Sequence, residues 1–149
     1  MQRVNRFVVK SPQAIVDNAS WTCNVVDSAG CDCVTFDILI GASDIAFAAL
    51  KVQESDTAAS ATALTNGTDI TGADFSVSPA TLPSAGADNT VVTVTVPITG
   101  ARKQHLLLVA TAGDGSAGTF MSCVAYLEKK IVPNTATKRG VGQNLIVAG

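Results

Sequence analysis

The residues best able to do chemistry in this 149-residue chain are four cysteines and one histidine. Cys23, Cys31, Cys33 and Cys123 suffice in number for a four-thiolate zinc site. However, Cys31 and Cys33 form a C-x-C pair instead of the C-x-x-C of a zinc knuckle, so we expect no metal site. Synthesis in a reducing cytoplasm favours thiols that serve as small core residues, and one disulfide formed after release is the alternative.

The histidine and the carboxylates form no catalytic set in the sequence. His105 has no second histidine to work with, and the neighbouring Arg102 and Lys103 disfavour its protonated ring. The aspartates occur singly near turns, where hydrogen bonds from the backbone account for them, and no G-x-S-x-G elbow occurs. We therefore predict that the protein is not an enzyme.

One glycine motif resembles a nucleotide-binding fingerprint. Residues 113–118, GDGSAG, match G-x-G-x-x-G and follow a predicted strand. The motif also needs a helix to receive the pyrophosphate and an acid about 20 residues further on, and residues 119–128 are typical of a strand instead. We predict a hairpin loop here and no bound cofactor.

The elements that would position these residues are predicted to be β-strands. Alternation is clearest in residues 90–98, where Val92, Val94, Val96 and Ile98 share one face and threonines the other. Turn residues separate the apolar runs. The predicted strands are residues 5–10, 21–26, 33–40, 46–54, 74–77, 90–98, 104–112 and 120–128.

About eight strands at this spacing predict an all-β fold, a single-domain antiparallel β-sandwich or jelly roll with extended terminal arms. We assign residues 1–10 to an N-terminal arm or first strand, 11–130 to the sandwich domain and 131–149 to a C-terminal extended arm. Residues 57–68, rich in Ala, Ser and Thr, are predicted to form a long loop or a short helix.

Charge is divided between the ends and the body of the chain. Residues 1–10 and 129–149 hold seven basic residues and no acid, whereas residues 11–128 hold all twelve acids and three bases, a net charge of −9. Basic ends can dock on the acidic body of another copy or on an acidic partner, and solvated tails are the alternative.

The predicted partner interface lies in these two ends. The apolar run near the C-terminus could add a strand to a neighbour's sheet edge or pair within its own domain. The interface residues that we predict are Arg3, Arg6, Lys138, Arg139, Leu145, Ile146 and Val147.

Nucleic acid and membranes are not predicted partners. The seven aromatic residues show no interleaving with basic ones, and Trp21 and Tyr126 are predicted to lie in the core. No run approaches the roughly 18 apolar residues of a membrane span, and residues 1–10 lack the apolar centre of a secretion signal.

Several short strings together resemble a pattern found in small virion proteins of tailed bacteriophages. The resemblance covers roughly residues 36–129 and leaves out the first cysteines and the C-terminal arm. The strings are LKVQESD at 50–56, DI at 69–70, ADF at 73–75 and GAR at 100–102 leading into LLLV at 106–109.

This resemblance implies a β-sandwich decoration (cement) protein. Such a protein is made in the host bacterial cytoplasm, binds the outer surface of the capsid and bridges neighbouring capsomers. Its implied partners are the major capsid protein and copies of itself, as a dimer or trimer. Related strings occur in tail-associated proteins, so a tail-associated or receptor- or carbohydrate-binding module is the alternative, although the predicted loops carry almost no aromatic residues.

Overall fold

The computed structural model describes residues 6–15, 18–113, 115–129 and 143–146, with the backbone alone for residues 6, 7 and 143–146. All the regular structure in these ranges is β. In chain order the strands are β1 (Arg6–Ile15), β2 (Ser20–Thr22), β3 (Val26–Asp27), β4 (Cys33–Ser43), β5 (Ala49–Ser55), β6 (Ala58–Ser60), β7 (Ala63–Leu64), β8 (Thr68–Asp74), β9 (Thr90–Pro97), β10 (His105–Thr111), β11 (Thr119–Glu128) and β12 (Gln143–Ile146).

Ten of these strands form two five-stranded sheets. The first sheet has the order β1-β11-β4-β9-β12, and the second has the order β2-β10-β5-β8 with β3 also paired to β10. Neighbouring strands are antiparallel except β12, which runs parallel to β9. Within the described ranges the all-β, mainly antiparallel prediction is confirmed.

Both sheets contribute to one hydrophobic cluster, as two layers of a sandwich do. In β4, Val34, Phe36 and Ile38 are fully buried, and in β9 the predicted valine face is buried as well. The second sheet contributes residues such as Leu106 and Leu108 from β10. Period-two alternation therefore places the core where the sequence predicted it.

The β1 strand, at one edge of the first sheet, is interrupted by a bulge. Its pairing with β11 shifts register between Lys10 and Gln13, with Ser11 and Pro12 between them. Proline has no N–H to give to a ladder and is therefore found at edges and bulges.

Residues 57–68 differ from the predicted loop or helix. They hold the two-stranded hairpin of β6 and β7 and the first residue of β8. The hairpin is tied to β2 and the residues after it: the Thr22 hydroxyl donates to the Thr62 carbonyl at 3.0 Å, and the Val25 N–H donates to the Ala61 carbonyl at 2.8 Å. These bonds hold the hairpin against the second sheet.

The strand predicted at residues 74–77 lies earlier in the chain, at β8. Gly72 has a φ of +84°, and the pairing of β8 with β5 shifts register between Lys51 and Gln53. This bulge puts Ile70 and Ala73, three residues apart, both in the core. The period-two pattern is therefore broken where the strand runs.

The glycine-rich loop of residues 113–118 does not close a hairpin. It joins β10 of the second sheet to β11 of the first, and these two strands do not pair. A Cβ on Gly113 would lie 2.2 Å from the Ala46 carbonyl oxygen, so the crossing is possible only without a side chain. The prediction of a hairpin was wrong because turn residues do not reveal which strand the chain joins next.

Candidate interaction surface

The outer face of the first sheet is formed by alternate residues of its strands. In β11, Met121, Cys123 and Leu127 point into the core and are at most 1% exposed. The intervening side chains, including Phe120 and Tyr126, therefore point away from the core. Tyr126 is half-buried, so its predicted place in the core was wrong, whereas that of Trp21 is confirmed.

Three large apolar side chains on this face are exposed: Val9 at 56%, Leu39 at 42% and Phe120 at 48%. The register brings them together, because Val9 is opposite Val124 and Leu39 is opposite Ser122 on the intervening strand β11. We call Val9, Leu39, Phe120 and Val124 the apolar patch.

Gly41 allows the Phe120 ring to lie against β4. A Cβ at this glycine would lie 3.4 Å from the Phe120 Cβ and 3.5 Å from its Cδ1. On the other side, Phe120 is opposite the exposed Ala14 of β1. Phe120 thus lies between β1 and β4, with its side chain beside Gly41.

A shallow groove of about 270 Å³ continues the apolar patch towards the end of the sheet, with Ala14, Ala42 and Phe120 among its walls. Its polar wall holds Asp44, whose carboxylate accepts a hydrogen bond from the Ala117 N–H at 2.9 Å. The Ser43 and Thr119 hydroxyls lie 2.8 Å apart. These polar groups already have partners within the loops, so the groove offers shape and apolar surface more than chemistry.

The part of the outer face over β4 and β9 is buried and polar. Thr35 and Thr95 are 2% and 6% exposed, and their hydroxyls lie 3.2 Å apart. Thr93, fully buried, donates to the Asp37 carboxylate at 2.7 Å. Among the side chains that the structure describes, the exposed large apolar residues of this face therefore lie on β1, β11 and the far end of β4.

Three of the four cysteine thiols, those of Cys23, Cys33 and Cys123, lie in environments that raise their pKa values and so suppress reactivity. All four are buried and unbonded to one another. Burial raises the pKa of Cys23 from 9.0 to about 12, and burial together with the Glu128 carboxylate, which accepts a hydrogen bond from the thiol at 3.4 Å, raises the pKa of Cys33 to about 12. Because the thiolate is the nucleophile and the metal ligand, these thiols are poor candidates for either role.

The other groups singled out for chemistry are also scattered. His105 begins β10, as predicted, and pairs with Asp27 and Ser55 in the sheet. The Glu54 carboxylate accepts a hydrogen bond from the Lys103 N–H at 3.2 Å and forms an ion pair with the Arg102 guanidinium at 3.5 Å. In the ranges that the structure describes, no three His, Cys, Asp or Glu side chains lie close enough to hold a metal. Nor do those ranges contain a helix with the length and apolarity that a membrane crossing demands.

The predicted interface residues fall at the margins of the described structure. Arg3, Lys138, Arg139 and Val147 lie outside it. The backbone of Arg6 begins β1 opposite Leu127, one residue before the end of β11. The start of β1 and the end of β11 thus lie at the same corner of the first sheet.

Leu145 and Ile146 lie in β12, beside β9 of the same chain. Of the two alternatives for this apolar run, the structure shows pairing within its own sheet. The apolar patch was not predicted from the sequence, yet a signal for it exists. In β11 and β4 large apolar residues occupy both odd and even positions, which is typical of a strand with both faces covered.

No protein-family model matches this chain, and no curated protein matches it.

Proposed function

We propose that this protein is a non-enzymatic structural component of a bacteriophage virion. It binds the outer surface of the capsid shell as a decoration (cement) protein and bridges neighbouring capsomers. It is made in the host bacterial cytoplasm and assembles with the major capsid protein and with copies of itself.

The observation that carries this proposal is the apolar patch. Three of the five large apolar side chains that are exposed among the described residues, Val9, Leu39 and Phe120, lie on one face of one sheet. Single exposed apolar residues are ordinary, but a contiguous group with a groove beside it is typical of a protein-binding surface. A sheet face is also rigid, so little conformational entropy is lost when it docks.

Two further observations, a sequence resemblance and the shape of the surface, indicate the type of partner. The likeness of residues 36–129 to small virion proteins favours a capsid shell over other assemblies. The flat apolar patch and its shallow groove suit a protein surface better than a small molecule or a saccharide, which require an enclosed pocket with convergent polar groups. A receptor-binding module would also be expected to present aromatic rings on its loops, whereas Phe120 lies on a strand.

A decoration protein of this kind stabilises the capsid lattice by mass action. A protein that binds the assembled lattice and not its separate subunits stabilises the lattice by RT ln(1 + [L]/Kd) at each site. A contact that bridges two capsomers makes the second attachment intramolecular, which raises the overall affinity without new chemistry. A stiff fold with an exposed binding surface is sufficient to stabilise the lattice in this way.

The experiment that tests the proposal is a copy count in purified phage particles from the source culture. Quantitative mass spectrometry against isotope-labelled peptides of this chain gives the number of copies per major capsid protein. A decoration protein is expected in a fixed ratio near one copy, or a small fraction, per capsid subunit. A few copies per particle would instead indicate a tail protein, and absence from the particles would contradict the proposal.

A further inference from the structure

In the first sheet, β12 does not lie next to β11, the strand that precedes it in the chain. In that sheet β12 pairs with β9 alone, through residues 143–146 against 92–95, and it also contacts β8 of the second sheet. It is the only strand in the described ranges that runs parallel to its neighbour. Two strands, β4 and β9, lie between it and β11, which precedes it in the chain.

The connection to β12 is longer than the distance requires. Glu128 is level with Pro97 across the sheet, and Gln143 is level with Val92. Gln143 therefore lies about 17 Å back along the strands and about 14 Å across them, a separation of roughly 22 Å. The fourteen residues 129–142 can span on the order of 50 Å when extended. The surplus is enough to reach β9 of a neighbouring molecule.

Charge gives the connecting residues an affinity for any copy of this protein. Residues 129–142 hold Lys129, Lys130, Lys138 and Arg139 and no acid, whereas residues 11–128 carry a net charge of −9. The acidic body of a neighbour attracts this segment as the chain's own body does. Electrostatics therefore permits docking on a second copy as readily as on the chain's own body, without requiring any other partner.

We propose that, in the assembled protein, β12 of one copy occupies the place beside β9 of a neighbouring copy. The proposal rests on the proposed function only in requiring that copies assemble. The strand that leaves is replaced by an identical strand, so the backbone pairing of β9 is remade unchanged. Holding copies side by side on a shell supplies the high effective concentration that makes exchange favourable.

The register supplies a direct test, because Thr95 of β9 and Ile146 of β12 are partners. Two variants are prepared, T95C and I146C, each with a single new cysteine. The four native cysteines are buried and do not interfere. The variants are mixed under reducing, mildly denaturing conditions and refolded together. They are then either concentrated until they self-associate or bound to particles stripped of the protein. Oxidation with a diamide reagent follows.

Exchange predicts a disulfide-linked heterodimer on a non-reducing gel, identified by a cross-linked peptide that contains both residues 95 and 146. The oxidant removes two hydrogens from the two thiols and is itself reduced to the hydrazine. A mixture of I146C with S60C, whose new cysteine lies on the exposed β6 strand away from β9, is the control for random collision. We expect the cross-linked product of T95C with I146C to exceed that of I146C with S60C by at least about tenfold.

The outcomes separate the two proposals. A second pair of variants, T93C with N144C, is tested beside T95C with I146C. If the protein assembles but neither pair forms its cross-link, strand exchange is overturned while the proposed function stays intact. The T95C/I146C double variant would then form its disulfide within one chain in the assembled state. A protein that remains monomeric and absent from particles would overturn both. A β9 edge cross-linked to a capsid subunit instead of to β12 would also overturn exchange.

Discussion

Phe120 is the residue on which the proposed docking depends most. Its side chain is 48% exposed and lies at the end of the apolar patch, where the patch meets the groove. We expect F120S to fold normally and to bind less tightly, because the remaining exposed area of a phenylalanine is worth about 1 to 3 kcal/mol when it is buried. The measurement is the occupancy of the variant on particles, or its self-association by sedimentation.

The control for F120S is V77S. Val77 is 57% exposed but lies after β8, away from the apolar patch, so the variant loses a similar apolar side chain elsewhere. Equal losses of binding by the two variants would show that general surface hydrophobicity, and not the patch, drives association.

The buried thiol of Cys23 predicts a pH dependence of stability. Its pKa rises from 9.0 to about 12 on folding, so between these values the native state retains a proton that the unfolded state has lost. The free energy of unfolding should therefore fall as pH rises from about 9 to 12, and be insensitive to this group below pH 9. Urea unfolding at a series of pH values measures the effect.

C23S is the matched variant for this pH series. The native thiol accepts from the Leu108 N–H at 3.2 Å and donates to the Asn24 carbonyl at 3.0 Å, two bonds that a hydroxyl can also make. A serine does not titrate in this range, so the gap between the two stability curves should narrow or reverse above pH 9. Parallel curves would contradict the assignment.

At the scale of elements, the loop between β10 and β11 is one of several connections between the two sheets. Because a Cβ on Gly113 would meet the Ala46 carbonyl at 2.2 Å and Ile45 Cγ2 at 2.6 Å, we expect G113A to lower the free energy of unfolding by about 2 to 4 kcal/mol. Chemical denaturation measures this.

G100A provides the comparison for G113A. Gly100 lies in another loop that joins the two sheets, between β9 and β10, and a Cβ there would meet nothing within 4 Å. This variant should be neutral or stabilised by up to about 1 kcal/mol, because alanine restricts the unfolded chain. Similar losses in both variants would mean that the close approach at Gly113 is not the cause.

How far the sequence predicts the fold differs between elements. In β9, alternating Val and Thr residues specify both the strand and its core face, and the structure confirms this assignment. In β8 the bulge at Gly72 hides the period, and in the loop of residues 113–118 the connection between sheets depends on long-range packing that no local pattern encodes. That Phe120 is apolar is evident from the sequence. Its exposure is not, because it depends on how the neighbouring strands cover the side chain.

At the scale of the whole molecule, the basic ends and the acidic body predict a salt dependence. Replacing Lys138 and Arg139 by Gln should weaken assembly at low ionic strength, by roughly 0 to 1 kcal/mol per charge pair, and this loss should fade as salt rises. Occupancy on particles, or self-association, at several salt concentrations gives the measurement.

The apolar end of the chain should behave differently. Replacing Leu145, Ile146 and Val147 by Ser should weaken assembly more than the charge change does, at all salt concentrations, because burial of aliphatic side chains is not screened. It should also lower the melting temperature, since β12 pairs with β9. An unchanged melting temperature together with full occupancy would show that this segment contributes nothing.

The bulge in β1 affects how the protein behaves before it meets any shell. An exposed edge strand is a template on which further chains can stack into fibrils, and such growth is a hazard for a β-protein made in many copies. Pro12 and the break in register between Lys10 and Gln13 interrupt that template in the middle of β1. At the opposite edge of the same sheet, β12 covers the backbone of β9. The β1 edge is therefore a poor template for the growth of ribbons, which favours separate molecules at high concentration.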